Sequence, residues 1–71
     1  MLSKKRKFAN MYNEYADDIY RYLLVHVHDS QLAEDLTADT FMKAFKNLES
    51  FDFKQPRPYL YKIAKNNMSD H

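Results

Sequence analysis

The chain has 71 residues, a net charge of +1, 45% hydrophobic and 30% charged residues, and neither glycine nor cysteine. That length allows one domain with a limited core, the balance of apolar and charged residues argues against a disordered chain, and the missing cysteines exclude disulfides and thiolate metal sites. Without glycine, turns at positive φ are costly and a hairpin-rich β fold is disfavoured.

No apolar run reaches the length of a bilayer-spanning helix, and no signal-peptide hydrophobic region follows the basic start. The expectation is a cytoplasmic protein with no membrane partner. The small net charge hides a polarised distribution: residues 1–7 carry +4, residues 8–42 carry −6 and residues 43–71 carry +3. An acidic middle and a basic end suit two partners, a basic protein surface and a polyanion. Ordinary solvated helix faces would give the same charges.

The spacing predicts a basic tail over residues 1–7, followed by a helical domain over 8–71. The first helix is expected from Phe8 to Val27, with Phe8, Tyr12, Tyr15, Ile19, Tyr22 and Leu23 three or four apart on its inner face. Tyr20, Leu24 and Val27 widen that stripe. Asp29 and Ser30 are N-cap residues for a second helix over 31–48. Its inward stripe is Ala33, Leu36, Thr40, Phe41, Ala44 and Leu48, and its lysines crowd the last turns, as the macrodipole favours. Residues 49–57 read as a loop, anchored by Phe51 and Phe53. Pro56 disfavours helix at Gln55, and Pro58 suits the first turn of a third helix. That helix should carry Leu60, Ile63, Ala64 and Met68 inward and run on to the end of the chain, where no stop signal stands. The expected fold is therefore all-α, a compact three-helix bundle with a loop between the second and third helices.

Catalytic and metal chemistry lack their residues. Asp17 and Asp18 are adjacent and diverge on a helix. There is no glycine for a phosphate loop and no nucleophile elbow. His26 and His28, two apart, point away from each other and do not suit a shared metal. They read as polar residues near a helix end, and His71 has no assigned role. The expectation is a protein that is not an enzyme and holds neither metal nor cofactor.

Binding patterns are clearer. Asp35, Ala38, Asp39, Met42 and Lys46 share one face of the second helix, distinct from its core stripe. Such a face suits a basic helix or coiled coil, and a solvated face with one tolerated methionine fits equally well. On the third helix, Lys62, Lys65, Asn66 and Ser69 form a cationic, hydrogen-bonding stripe. Lys54 and Arg57 precede it, with Phe53, Tyr59 and Tyr61 interleaved. Cations neutralise phosphates, aromatics stack on unpaired bases and Asn pairs with base edges, so this mixture suits single-stranded nucleic acid. Tyr59 also reads as a core or boundary residue, and for Tyr61 the two readings stand level.

Two stretches carry a resemblance. The run from Ala33 to Phe45, AEDLTADTFMKAF, resembles the A-E-D-L-T-Q-E-T-F-x-K/R-A-W signature of extracytoplasmic-function sigma factors of bacterial RNA polymerase. The run from Pro56 to Asn66, PRPYLYKIAKN, resembles their P-R-A-Y/W-L-Y-R-I-A-R-N signature, and Asp70-His71 matches the pair that commonly follows. Tyr12, Tyr15 and the run from Ile19 to Leu23 look like the family's opening helix. The likeness covers residues 8–71 and corresponds to the family's region 2.

The resemblance implies a transcription initiation domain that binds core RNA polymerase and recognises and melts the −10 promoter element. Asp35, Ala38, Asp39 and Met42, with Lys46 on the same face, would meet the clamp helices, a coiled coil of the largest polymerase subunit. Asn66 would help hold a base extruded from the non-template strand, with Arg57, Lys62 and Lys65 beside it and Lys54 and Tyr61 completing the DNA set. An anti-sigma protein is a further partner the resemblance admits. Family members carry a second domain that reads the −35 element, and the expectation here is that it is absent. Ala38 replaces a usual glutamine and Phe45 a usual tryptophan. Asn67 and Ser69 stand where aliphatic residues are usual, so the third helix is expected to pack less well. The competing expectation is a helical interaction module or truncated decoy that binds polymerase without engaging DNA. A duplex-reading helix-turn-helix fits less well, because no short turn precedes a recognition helix.

Overall fold

Local chemistry places three helices along the chain. In a computed structural model, residues 3–70 are described, and Met1, Leu2 and the His71 of the Asp-His pair lie outside the described residues. The first helix, α1, spans Lys4–Val27; α2 spans Ser30–Lys46; a 3-10 turn spans Leu48–Ser50; and α3 spans Pro56–Asp70. The expected three-helix, all-α bundle is the fold observed. The 24 residues of α1 rise about 36 Å at the helical repeat, which accounts for the 40 Å long dimension.

The start of α1 departs from the sequence-based expectation. The Ser3 hydroxyl accepts from the Arg6 N–H at 3.2 Å, so the chain is helical one turn before Phe8. Lys4–Lys7, expected as a tail, form the first turn of α1. Cations there oppose the macrodipole, each by about 0.3–1 kcal/mol. Lys4 offsets part of this by crossing to Glu49 at 2.7 Å, which ties the start of α1 to the 3-10 turn. At its other end α1 stops on His28, whose φ of 56° is left-handed and whose N–H donates to the Leu24 carbonyl at 2.9 Å. Glycine usually fills this position, and a chain without glycine must use another residue.

The second helix opens where expected: Asp29 is its N-cap and accepts from the Leu32 N–H at 3.2 Å. It ends two residues before Leu48, at Lys46, where Asn47 caps it and the chain tightens into the 3-10 turn. Phe51 and Phe53 then pack against the core as expected. The Lys54 N–H donates to the Asp52 carboxylate at 2.9 Å, closing a local turn. The third helix begins at Pro56, two residues earlier than the spacing predicts. Both prolines fall in its first turn, where a missing N–H breaks no helical bond.

The core lies where the three helices meet. Ile19, Leu23 and Leu60 are fully buried, each contributing about 1.5–3 kcal/mol. Met11, absent from the expected stripe, is buried, whereas Tyr12 is exposed on the flank of α1. The expected residues on α2 are buried, Leu48 falls in the 3-10 turn and is half-buried, and Thr37 joins the α2 stripe, donating its hydroxyl to the Ala33 carbonyl.

The contact of α2 with α3 overturns the expectation of loose packing at Asn67, whereas Ser69 is exposed. Asn67 is only 4% exposed. Its amide Nδ2 donates to the Thr40 hydroxyl at 3.0 Å, and its Oδ1 accepts from the Lys43 ammonium. The Thr40 hydroxyl in turn donates to the Leu36 carbonyl at 2.7 Å. Among the described residues no buried side-chain polar atom lacks a partner, so an aliphatic site has been replaced by a satisfied polar one.

This arrangement yields a test by thermal unfolding. Thr40→Val strands the Asn67 amide and should cost about 1–3 kcal/mol. Adding Asn67→Leu should recover most of that loss. Additive losses in the double variant would contradict the bond.

Candidate nucleic-acid and partner-binding sites

Leu60, Ala64 and Asn67 of α3 are buried, Asn67 by hydrogen bonds to α2, and the rest of the helix is left open. Lys62 and Asn66 lie outside that buried stripe, both exposed. They line an open groove of about 270 Å³ with Tyr59 and Ile63 of α3, and with Asn47, Ser50 and Phe51 beyond α2. The groove therefore combines one cation, two carboxamides and two aromatic rings. Tyr59 is 46% exposed, and its ring lies 5.7 Å from that of Phe51. An unpaired, planar, anionic-backbone ligand matches this lining, since aromatic faces stack on bases and Asn pairs with base edges.

The two tyrosines of α3 differ in how far they are covered. Tyr61, placed in the DNA set, is half-buried and packs edge-on against Tyr22 of α1 at 5.1 Å. The Arg57 guanidinium lies over its ring at 5.2 Å and 3.9 Å from the Asp18 carboxylate. Arg57 and Tyr61 thus face α1, away from the residues that line the Asn66 groove. Lys65 is exposed but does not line that groove. Lys54 lines a different groove of about 310 Å³, with Lys7 of α1 across from it. So the six residues of the sequence set fall into separate places, and only Lys62 and Asn66 share one groove. Phe51, read from the sequence as a loop anchor, and Tyr59, read as an interleaved aromatic or a boundary residue, line that groove with them.

On α2, Asp35, Ala38, Met42 and Lys46 are exposed, as their spacing implies. Met42 is 56% exposed. Asp39 is half-buried and pairs with Lys43 at 3.3 Å one turn on. Such a partly exposed i,i+4 pair contributes a few tenths of a kcal/mol, so Asp39 is open to exchange partners. This face borders an apolar groove of about 390 Å³ between α1 and α2, lined by Phe8, Tyr12, Ala38, Phe41, Met42, Phe45 and Lys46. Phe8 packs edge-on against Phe45 at 5.2 Å, and Tyr12 against Phe41 at 4.9 Å. The surface has carboxylates at one end, aromatic side chains in the middle and a cation at the other. Sequence spacing assigned Phe8 and Tyr12 to the core and did not show this aromatic extension.

Elsewhere, His26 holds its Nδ1 2.8 Å from the Tyr22 carbonyl, where an N–H donates, and so serves the end of α1. Among the described residues no cluster of three metal-ligating side chains occurs, and no helix is long and apolar enough to cross a membrane.

Comparison with known proteins gives one consistent family. The Sigma-70 region 2 family model matches residues 11–71. The ECF RNA polymerase sigma factor SigM of Bacillus subtilis is 39% identical over 61 residues, covering 86% of this chain and 37% of that protein. The ECF RNA polymerase sigma factor BldN of Streptomyces coelicolor is 37% identical over 67 residues, covering 90% of this chain and 25% of that protein. The RNA polymerase sigma factor YlaC of Bacillus subtilis is 39% identical over 64 residues, with 89% and 37% covered. The chain thus spans between a quarter and two-fifths of the length of these curated relatives. No solved structure gives a significant match.

The division of the two tyrosines can be read from stability. Tyr61→Ala removes a ring packed between Tyr22 and Arg57 and should cost about 1–2 kcal/mol. Tyr59→Ala should change stability by less than about 0.5 kcal/mol. Equal losses in chemical denaturation would contradict the placement.

Proposed function

The chain belongs to the Sigma-70 region 2 family, and from that premise we propose that it is a two-partner adaptor in bacterial transcription initiation. The outer face of α2, with Asp35, Ala38, Asp39, Met42 and Lys46, docks on the clamp helices of the RNA polymerase core. The groove beside α3 takes a base extruded from the non-template strand of the −10 promoter element. An adaptor that acts on polymerase and promoter DNA works in the cytoplasm. The protein contributes binding energy and positioning, and the chemistry of RNA synthesis belongs to the polymerase.

One observation carries the reading. Tyr59, Lys62 and Asn66 share an open groove on the flank of α3, walled on its other side by Asn47, Ser50 and Phe51 at the end of α2 and just beyond it. Extruding a base costs a few kcal/mol of stacking and pairing. Stacking on an aromatic ring returns about 1–3 kcal/mol, and a well-placed carboxamide adds about 1–3 kcal/mol of discrimination at the base edge. The two together match the cost, so capture is favourable for the right base and not for others. Lys62 supplies a phosphate contact that adds affinity without choosing sequence. Arg57, Lys65 and Lys54 stand outside the groove and serve the flanking backbone. On this reading Tyr61 supports Arg57 and does not stack on DNA.

A second reading has its own support. The apolar groove beside Met42 and Phe45 is larger than the Asn66 groove, as in a module that binds polymerase, or an anti-sigma protein, without DNA. Titration of labelled −10 non-template strand at low and moderate salt separates the two. Sequence-selective binding supports the adaptor, and its absence supports the interaction module.

In that titration Lys62→Ala should weaken binding to all strands and reduce the salt slope by about 0.7. Asn66→Ala should blunt discrimination at one base by roughly tenfold. If both variants bind as the wild type does, the groove is wrongly assigned. For the other face, Asp39→Lys should abolish association with core polymerase while helicity is kept. Asp35 makes no ion pair among the described residues, so Asp35→Lys tests the face without disturbing Lys43. Association that survives both reversals would exclude this surface.

A further inference from the structure

The basic first turn of α1 is used by neither site above, and it opposes the local electrostatics of its own helix. Lys4, Lys5, Arg6 and Lys7 stand where a helix favours acids, and that turn contains none. Among the described residues only Lys4 of the four has an ion pair, with Glu49. Lys7, one turn further along the same face, lines the open groove that holds Lys54. Tyr15 and Phe53 form part of the lining, and Glu14 is its one acid. A locally unfavourable charge run that folds into an open groove points to a ligand of opposite charge.

The aromatic side chains indicate which ligand. The Phe53 ring lies 5.2 Å from Phe51, and Phe51 lies 5.7 Å from Tyr59. Phe53 lines the Lys7 groove, while Phe51 and Tyr59 line the Asn66 groove. An unbroken aromatic ridge therefore joins the two grooves, and alternating cations and rings are what a single strand tracks. An anionic membrane would also attract lysines, but an interfacial helix must insert an apolar face. Most of the apolar face of α1 is committed to the bundle core, and its less covered remainder, Phe8 and Tyr12, turns to the groove beside α2 and away from the one that holds Lys7.

We propose that Lys7 and Lys54 form a second contact for the same single strand, gripping its phosphate backbone next to the captured base. The proposal rests on the base-capture reading of the Asn66 groove and extends the strand's path across the 3-10 turn to α1.

The test uses the full chain and two sets of oligonucleotides. A short strand covers only the bases read at the Asn66 groove, and longer strands extend it by a few nucleotides on one side or the other. Extension on one side should tighten binding several-fold and steepen the salt dependence. Lys7→Ala should remove that gain and lower the slope by about 0.7, leaving short-strand affinity unchanged. Lys7→Glu relieves the charge run and should raise the melting temperature while also removing the gain. A gain retained in both variants, or no gain in the wild type, overturns the proposal. So does a melting temperature that falls together with binding, which would make Lys7 a structural residue. Lys7-dependent binding to phosphatidylglycerol vesicles, without any strand gain, would assign the turn to a membrane instead. If Asn66→Ala has no effect on sequence preference while the Lys7-dependent gain persists, the base-capture reading fails and the lysine contact stands.

Discussion

The bond from the Asn67 amide to the Thr40 hydroxyl fixes how α3 is turned about its own axis against α2. Apolar packing alone tolerates rotation, because Leu60 and Ala64 fill space without direction. A buried carboxamide has directional demands and is costly to leave unmet. Lys43 holds its other end. Once Asn67 is committed, the helical repeat sets Tyr59 and Asn66 on the flank of α3 and Lys62 further outward, at the groove. The reading of the whole site depends on that rotation.

The same cluster links the two surfaces. Lys43 bonds Asn67 and also pairs with Asp39 on the partner-facing side of α2. Asn67 follows Asn66 directly in the chain. The two proposed binding surfaces are thus linked through one lysine and one buried amide, and among the described residues no other side-chain hydrogen bond joins α3 to α2. Around this centre, the Lys4–Glu49 pair ties the 3-10 turn to α1 and the Phe51–Tyr59 contact ties the loop to α3. That gives the groove wall a fixed base, although the segment lacks regular helix after Ser50.

Much of this was legible in the residues. The three helices, the Asp29 cap, the proline break and the exposed face of α2 all follow from period, capping and φ restriction. The failures share a cause: each involves a residue whose partner is remote in sequence. Asn67 reads as a packing defect until Thr40 and Lys43 arrive from α2. Lys4 reads as tail until Glu49 meets it, although Ser3 was an N-cap signal in plain view. Tyr59 and Tyr61 are two apart on one helix, and only the position of Tyr22 decides which is covered. The proposed DNA set was chosen by residue type and by position in the family signature, and the fold distributes its four cations over separate places.

Backbone amide chemical-shift mapping of the chain with −10 non-template strand tests the central claim most directly. The account predicts that the largest changes fall on Asn47, Ser50, Phe51, Tyr59, Lys62 and Asn66, while Asp35 and Met42 stay unmoved. Changes confined to the outer face of α2, or spread evenly over all basic residues, would contradict it.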